Sequence, residues 1–432
     1  MNSRSITQHT PLVRAQAEPH LPDSNSALAL LARRLLFAQL EKLQHGELVI
    51  IEPTMQRHFG RRSARFDHTV TIHVDHPQMY ADTTFGGTVG VGEAYIRGLW
   101  RCDDLTLLVR MFVINRHVME GMDSRWSLFS RPMQKIFHWL NRNSRNGSAR
   151  NISAHYDLGN DLYKLMLDDT MAYSCGIFPR DDTTLHAAQL TKFDAICRKL
   201  DLKPGEELVE IGTGWGGLAI HAAQNYGALV TTTTISREQH DYARDKIERL
   251  GLGGRITLLL EDYRDLKGRF DKAVSIEMIE AVGANYLDTY TRQCASLLKP
   301  TGAMLLQAIT IQDQFYQQAR RSVDYIQRYI FPGSFIPSTQ AISESLSRVT
   351  DFKIFHLEDI GPHYARTLRE WRQNFFSNID RVRELGYPES FVRMWEYYLC
   401  YCEGGYTERQ LGNVQMLLTK PEYRRSAITA LC

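Results

Sequence analysis

The sequence predicts an α/β protein: a doubly wound, mostly parallel sheet with helical insertions, preceded by a smaller α+β unit. Three observations carry this. The chain has 432 residues, too many for a single core. From residue 151 onward, apolar strand-like runs alternate with helical periodicity. Residues 208–217, Leu-Val-Glu-Ile-Gly-Thr-Gly-Trp-Gly-Gly, join an apolar run to an acid, a glycine-rich turn and a helix start. That is how a parallel strand brings its carboxyl end to a nucleotide-like ligand.

The expected division is a loose tail over 1–25, an α+β unit over 26–122, a basic linker over 123–150 and the doubly wound domain over 151–432. Hydrophobic residues at 43% place the chain among ordinary globular proteins, and a net charge of +2 gives no reason to expect nucleic acid. No apolar run is long enough for a membrane-spanning helix. The first 25 residues hold no apolar signal core, so the expected location is the cytoplasm. The 7 cysteines are odd in number and scattered, without a disulfide framework or a metal-ligand pair, so no metal is expected.

In chain order, Leu28–Leu43 has the apolar spacing of a helix, and Glu47–Pro53 and Ala64–His73 alternate as strands do. Residues 86–93, rich in glycine, read as a turn leading into a helix. Over 124–150, Arg125, Arg131, Lys135, Arg142, Arg145 and Arg150 occur with no acid, interleaved with Trp126, Phe129, Phe137 and Trp139. This strip reads either as a hinge packing its aromatics on a neighbour or as a docking surface for anionic lipid. Strands are then expected at Leu208–Gly212, Ala228–Ser236, Ile256–Leu260, Lys272–Ile276, Ala303–Thr310, Phe352–Glu358 and Val414–Thr419. Ile311–Val349 and Arg366–Cys402 read as helical insertions.

The glycine turn formally satisfies a dinucleotide fingerprint through Gly212, Gly214 and Gly217. A bound dinucleotide wants an acid for its ribose about 20 residues past the first glycine. The chain offers Thr231–Ser236 there, with no carboxylate before Glu238. The acid instead stands before the turn, at Glu210. Acid-x-Gly-x-Gly-x-Gly resembles the S-adenosylmethionine loop of the Rossmann-like class I methyltransferases.

Further segments resemble the cyclopropane-fatty-acyl-phospholipid synthases and the related mycolic acid methyltransferases. They are 155–161 (His-Tyr-Asp-Leu-Gly-Asn-Asp), 171–175 (Met-Ala-Tyr-Ser-Cys), 280–283 (Glu-Ala-Val-Gly), 329–333 (Tyr-Ile-Phe-Pro-Gly), and Tyr364 with Thr367, Leu368 and Trp371. The family more often has histidine where Ala281 stands. The resemblance implies S-adenosylmethionine contacts at Tyr173, Ser174, Glu210, Gly212, Gly214, Gly216, Thr234, Ile235, Gln239, Asp262, Tyr263 and Ile276. It also implies a bicarbonate ion near the transferred methyl, held by Cys175, Glu280, Ile309, Tyr364 and a histidine that is Gln307 here. The implied reaction builds a methylene bridge across a cis double bond of phospholipid acyl chains. The sibling outcome is a methylene- or methyl-branched chain.

That chemistry explains the residue types. An alkene is a poor nucleophile, and its attack on a sulfonium methyl leaves positive charge on the acyl chain. Aromatic faces stabilise a cation through their quadrupoles, and Tyr173, Tyr263, Tyr325, Phe331, Tyr364 and Trp371 are candidates. A base must then take a proton; bicarbonate is the expected base, with Glu280 orienting it or relaying its proton. The enzyme is expected to be a homodimer, peripherally attached to the inner face of the membrane, with an amino-terminal unit resembling lipid carriers.

Overall fold

The computed structural model describes residues 27–118 and 159–425. The tail, the basic strip with Arg142 and Arg145, the segment 155–158 and Cys432 lie outside the described residues.

The first unit is a four-stranded sheet in the order β2-β1-β3-β4, with the helices Ala27–Leu40, Gln78–Ile96 and Leu105–Ile114 among the described residues. β1 (Gly46–Glu52) and β3 (Thr69–Val74) run parallel, while β2 (Met55–Arg61) and β4 (Trp100–Cys102) pair antiparallel at the edges. β2 was not expected from the sequence. Its residues are mostly exposed and only Phe59 is buried, so no apolar alternation marks it. The strand expected over Ala64–His73 begins only at Thr69, because Ser63 and Phe66 bond each other across a tight turn. The glycine run at 86–93 lies within one helix, Gln78–Ile96, broken at Gly87 where φ is 58° and ψ is −145°.

The second unit is a seven-stranded sheet in the order β10-β11-β9-β8-β5-β6-β7. β5 (Glu207–Ile211), β6 (Leu229–Thr233), β7 (Ile256–Leu259), β8 (Phe270–Ile276) and β9 (Leu298–Ile311) are parallel neighbours. β11 (Leu411–Thr419) is inserted antiparallel between β9 and β10 (Lys353–Asp359). The central strands read as continuous apolar runs because helices cover both faces; Leu208, Val209 and Ile211 are buried.

The expected insertions are helical: Asp313–Ala319, a π-helical turn at Ile326–Ile330 and Thr339–Val349, then Gly361–Ser377, Ile379–Glu384 and Glu389–Thr407. The last helix ties the two units together. Arg393 donates to Tyr95 O and Trp100 O at 2.6 and 2.7 Å, and Tyr95 Oη donates to Glu396 at 2.6 Å. One apolar cluster accordingly runs from Leu36 and Phe59 through Trp100 to Trp371 and Trp395. Among the described residues, no helix is long and apolar enough to cross a membrane.

Candidate active site

A cavity of about 920 Å³ opens at the carboxyl ends of β5, β6 and β8, where open α/β sheets bind their ligands. The turn after β5 forms one wall. Gly212 has φ 99° and Gly214 has φ 53°, conformations that side chains resist. A Cβ on Gly214 would meet no atom within 4 Å, so its backbone is open to a ligand. Gly216 does not face the cavity. Its φ is 87°, and a Cβ there would stand 3.3 Å from Ala243 Cβ, so it lets two helices approach.

Around this turn the cavity is lined by Tyr173, Ser174, Glu210, Thr234, Ile235, Gln239, Asp262, Tyr263 and Ile276. Ser236 caps the helix Arg237–Arg249, and Thr234 Oγ1 donates to Gln239 Oε1 at 2.9 Å, fixing that corner. The Asp262 carboxylate holds the Arg264 guanidinium at 2.6 and 2.8 Å. Thr232 Oγ1 donates to Glu210 at 2.6 Å, yet burial pushes the Glu210 carboxyl up to about 8. Ser174 Oγ accepts from Lys192 Nζ at 2.7 Å; Lys192 is fully buried in the helix Leu185–Leu200, and burial pulls its ammonium down to about 8. The periodicity of that helix gave no sign of a buried cation.

Much of the remaining lining is aromatic. The Tyr173 ring lies 5.0 Å from Trp371, 5.4 Å from Tyr163 and 6.3 Å from Phe331, and its hydroxyl bonds that of Tyr398 at 2.8 Å. Tyr364 packs on Trp371 and, at 4.6 Å, on Tyr406. Tyr173, Phe331, Tyr364, Tyr398 and Tyr406 line the cavity, whereas Trp371 and Tyr325 stand behind it. Val109 and Val113 extend the apolar lining onto the first unit.

The acids beyond the glycine turn are arranged differently from expectation. Glu280 accepts from Ile309 N at 2.5 Å; its other oxygen is buried without a partner, and burial with the nearby Glu277 charge pushes the carboxyl up to about 8. Glu277, which the sequence reading passed over, is the centre of the cluster. It accepts from Cys175 N at 3.0 Å, Gln307 Nε2 at 2.8 Å, Asn413 Nδ2 at 2.6 Å and Tyr364 Oη at 2.6 Å. Cys175 and Gln307 do not line the cavity; both are fully buried behind Glu277. The expected bicarbonate does not fit these residues, since three of its expected holders already donate to Glu277 and the Ile309 amide to Glu280.

The raised carboxyls have a consequence for stability. The unfolded chain releases these protons near 4.5, while the folded protein keeps them to about 8. The folded state thus binds more protons across that window, and stability falls as pH rises through it. Thermal unfolding followed from about pH 5 to about pH 8 should show the midpoint dropping, and Glu210→Gln with Glu280→Gln should flatten the slope.

A seven-stranded sheet with one antiparallel insertion, and a glycine turn opening on a cavity, define a class I S-adenosylmethionine-dependent methyltransferase. The chain belongs to the mycolic acid cyclopropane synthetase family, whose model matches residues 143–416. It is 39% identical over 343 residues to a tuberculostearic acid methyltransferase of Mycobacterium tuberculosis, covering 77% of this chain and 79% of that one. It is 34% identical over 352 residues to the cyclopropane-fatty-acyl-phospholipid synthase of Escherichia coli, covering 81% of this chain and 87% of the relative. Among solved structures, the mycolic acid cyclopropane synthase CmaA1, in complex with SAH and CTAB, superposes with a TM-score of 0.59 at 29% identity, over 63% of this chain and 98% of that one.

Proposed function

We propose that the protein transfers one carbon from S-adenosylmethionine to the cis double bond of an unsaturated acyl chain on a membrane phospholipid, closing a cyclopropane ring. The observation that carries this reading is the mixed lining of one cavity: a glycine turn with its acids, together with apolar and aromatic side chains that extend onto the first unit. When bound, S-adenosylmethionine supplies an electrophilic methyl. Gly212 and Gly214 would let it approach the backbone, and Tyr173, Ser174, Glu210, Thr234, Ile235, Gln239, Asp262, Tyr263 and Ile276 would surround it.

The aromatic lining suits the other reactant. Tyr173, Phe331, Tyr364 and Tyr398 exclude water from an acyl chain, and their faces stabilise the positive charge that alkene attack creates. Arg116 and Arg320 also line the cavity and suit a phosphate-bearing lipid. The E. coli relative, named for phospholipid, supports that acceptor. Attachment to the inner face of the membrane through the basic strip, with dimerisation raising avidity, belongs to the same proposal.

The relationship to the tuberculostearic acid methyltransferase favours a second reading, in which a hydride shift gives a branched chain. Ring and methylene branch have the same mass, so NMR must separate them. Purified enzyme with S-adenosylmethionine and unsaturated phospholipid vesicles should release S-adenosylhomocysteine and give acyl esters with far-upfield ring protons. Vinylic methylene protons would establish the branch instead, and no modified lipid would remove both readings.

A further inference from the structure

We propose that Glu277 is the base of the reaction, a carboxylate built into the chain at the place where a small inorganic anion was expected. This rests on the reading of the site as an alkene methyltransferase.

The geometry is that of an anion site whose anion is a side chain. Four donors from four separate segments converge on one carboxylate. They are the Cys175 amide, the Gln307 and Asn413 side-chain amides on β9 and β11, and the Tyr364 hydroxyl on the helix Gly361–Ser377. The first two and the last belong to the positions at which a bound anion was expected. Glu277 lines the cavity beside Met278 and Glu280, immediately after β8. Its φ is 49°, in the left-handed region, which is costly for a residue with a Cβ. The donors hold it there.

The donor set is also oriented. The Lys199 ammonium, fully buried, has only protons to offer, and it donates to Gln415 Oε1 at 2.6 Å. Gln415 must therefore turn its NH2 toward Gln307, and it donates to Gln307 Oε1 at 2.8 Å. Gln307 in turn must present its own NH2 to Glu277. Gln307 and Gln415 stand opposite each other in the β9–β11 pairing, so sheet register fixes the relay. A reversed amide would break two bonds at once. Beside it, Glu280 keeps its proton to about 8, so the two acids do not carry adjacent charges near neutral pH.

The step balances without another reactant. The alkene π pair forms a bond to the methyl carbon as the carbon–sulfur bond breaks and its pair stays on sulfur. The Glu277 carboxylate takes a proton from the transferred carbon. The released C–H pair bonds to the cationic carbon and closes the ring, leaving Glu277 neutral to return its proton to solvent. After a hydride shift, the same proton abstraction gives a methylene branch.

The test uses the full chain in bicarbonate-free and bicarbonate-supplemented buffer. Wild type should turn over equally in both and should bind no 13C-bicarbonate by NMR. Glu277→Gln should lose about 10²–10⁴-fold in turnover with unchanged S-adenosylmethionine affinity. Glu277→Gly removes the carboxylate at a backbone conformation glycine adopts freely. It should bind 13C-bicarbonate and regain turnover when bicarbonate or formate is added. A wild type that binds or requires bicarbonate overturns the proposal, as does a fully active Glu277→Gln. If wild type binds S-adenosylmethionine but never modifies unsaturated vesicles, the substrate reading fails on its own. The 13C-bicarbonate contrast between wild type and Glu277→Gly still decides, without turnover, whether Glu277 fills the anion's place.

Discussion

Replacing Gly214 by valine is expected to abolish S-adenosylmethionine binding while leaving the fold intact. The backbone at Gly214 has φ 53°, and a β-branched residue there carries strain of about 1–3 kcal/mol. That is too little to unfold a protein of ordinary stability. A Cβ would meet nothing within 4 Å, so the substitution disturbs no packing and places its bulk in the space the ligand needs. Calorimetry should show affinity reduced at least about 100-fold, which is about 2.7 kcal/mol or more. The unfolding midpoint should move by only a few degrees. The neighbouring glycines should behave differently. Gly216→Val pushes on Ala243, 3.3 Å from its Cβ, and should lower stability as well. Gly212→Val meets Met278 at 3.2 Å and should disturb the segment that leads to Glu277 and Glu280. Tight binding by Gly214→Val would show that the ligand does not approach this turn.

These contrasts also mark what could be read in the sequence. The turn was legible because its demands are local: an apolar strand, an acid and glycines at positive φ follow one another within ten residues. The buried parallel strands were legible for the same reason, since Leu208–Ile211 and Ala303–Leu306 are apolar almost without interruption. β2 was not, because an edge strand with one buried side chain carries no periodic signal. Glu277 was passed over because its role is non-local. Its four donors come from residues 175, 307, 364 and 413, and only the folded sheet brings them together. The one trace in the sequence is the first acid in Ser-Ile-Glu-Met-Ile-Glu, three residues before Glu280. Cys175 and Gln307 were expected to hold a bicarbonate ion; in the structure their donors point to Glu277, and for Gln307 that direction depends on a relay that begins at Lys199. Tyr398 fell within the aromatic helical stretch Arg366–Cys402 without being singled out, and neither Tyr406, which lies past that stretch, nor Lys192 was marked by any pattern. Burial against partners distant in sequence separates both cases from their surroundings.

Lys192→Met is expected to produce the largest combined loss of stability and activity. Lys192 is fully buried, its ammonium lies 4.5 Å from the Phe193 ring, and its polar contact is Ser174 Oγ at 2.7 Å. Burial opposes its charge and the neighbouring Glu277 favours it most, so that it remains charged below about pH 8. Methionine fills similar space but leaves the buried Ser174 hydroxyl without its donor and the Glu277 carboxylate without a nearby cation, which costs about 1–3 kcal/mol. Urea unfolding should show that loss, and S-adenosylmethionine binding should weaken because Ser174 loses the group that holds it at the cavity wall. Lys192→Arg keeps the charge but enlarges a closed site, so it should recover stability only in part. The decisive measurement is the double variant with Glu277→Gln. Each substitution removes a charge that the other compensates, so the double loss should fall short of the sum of the single losses. Strict additivity would show that the two charges do not interact, and Lys192 would then act through Ser174 alone.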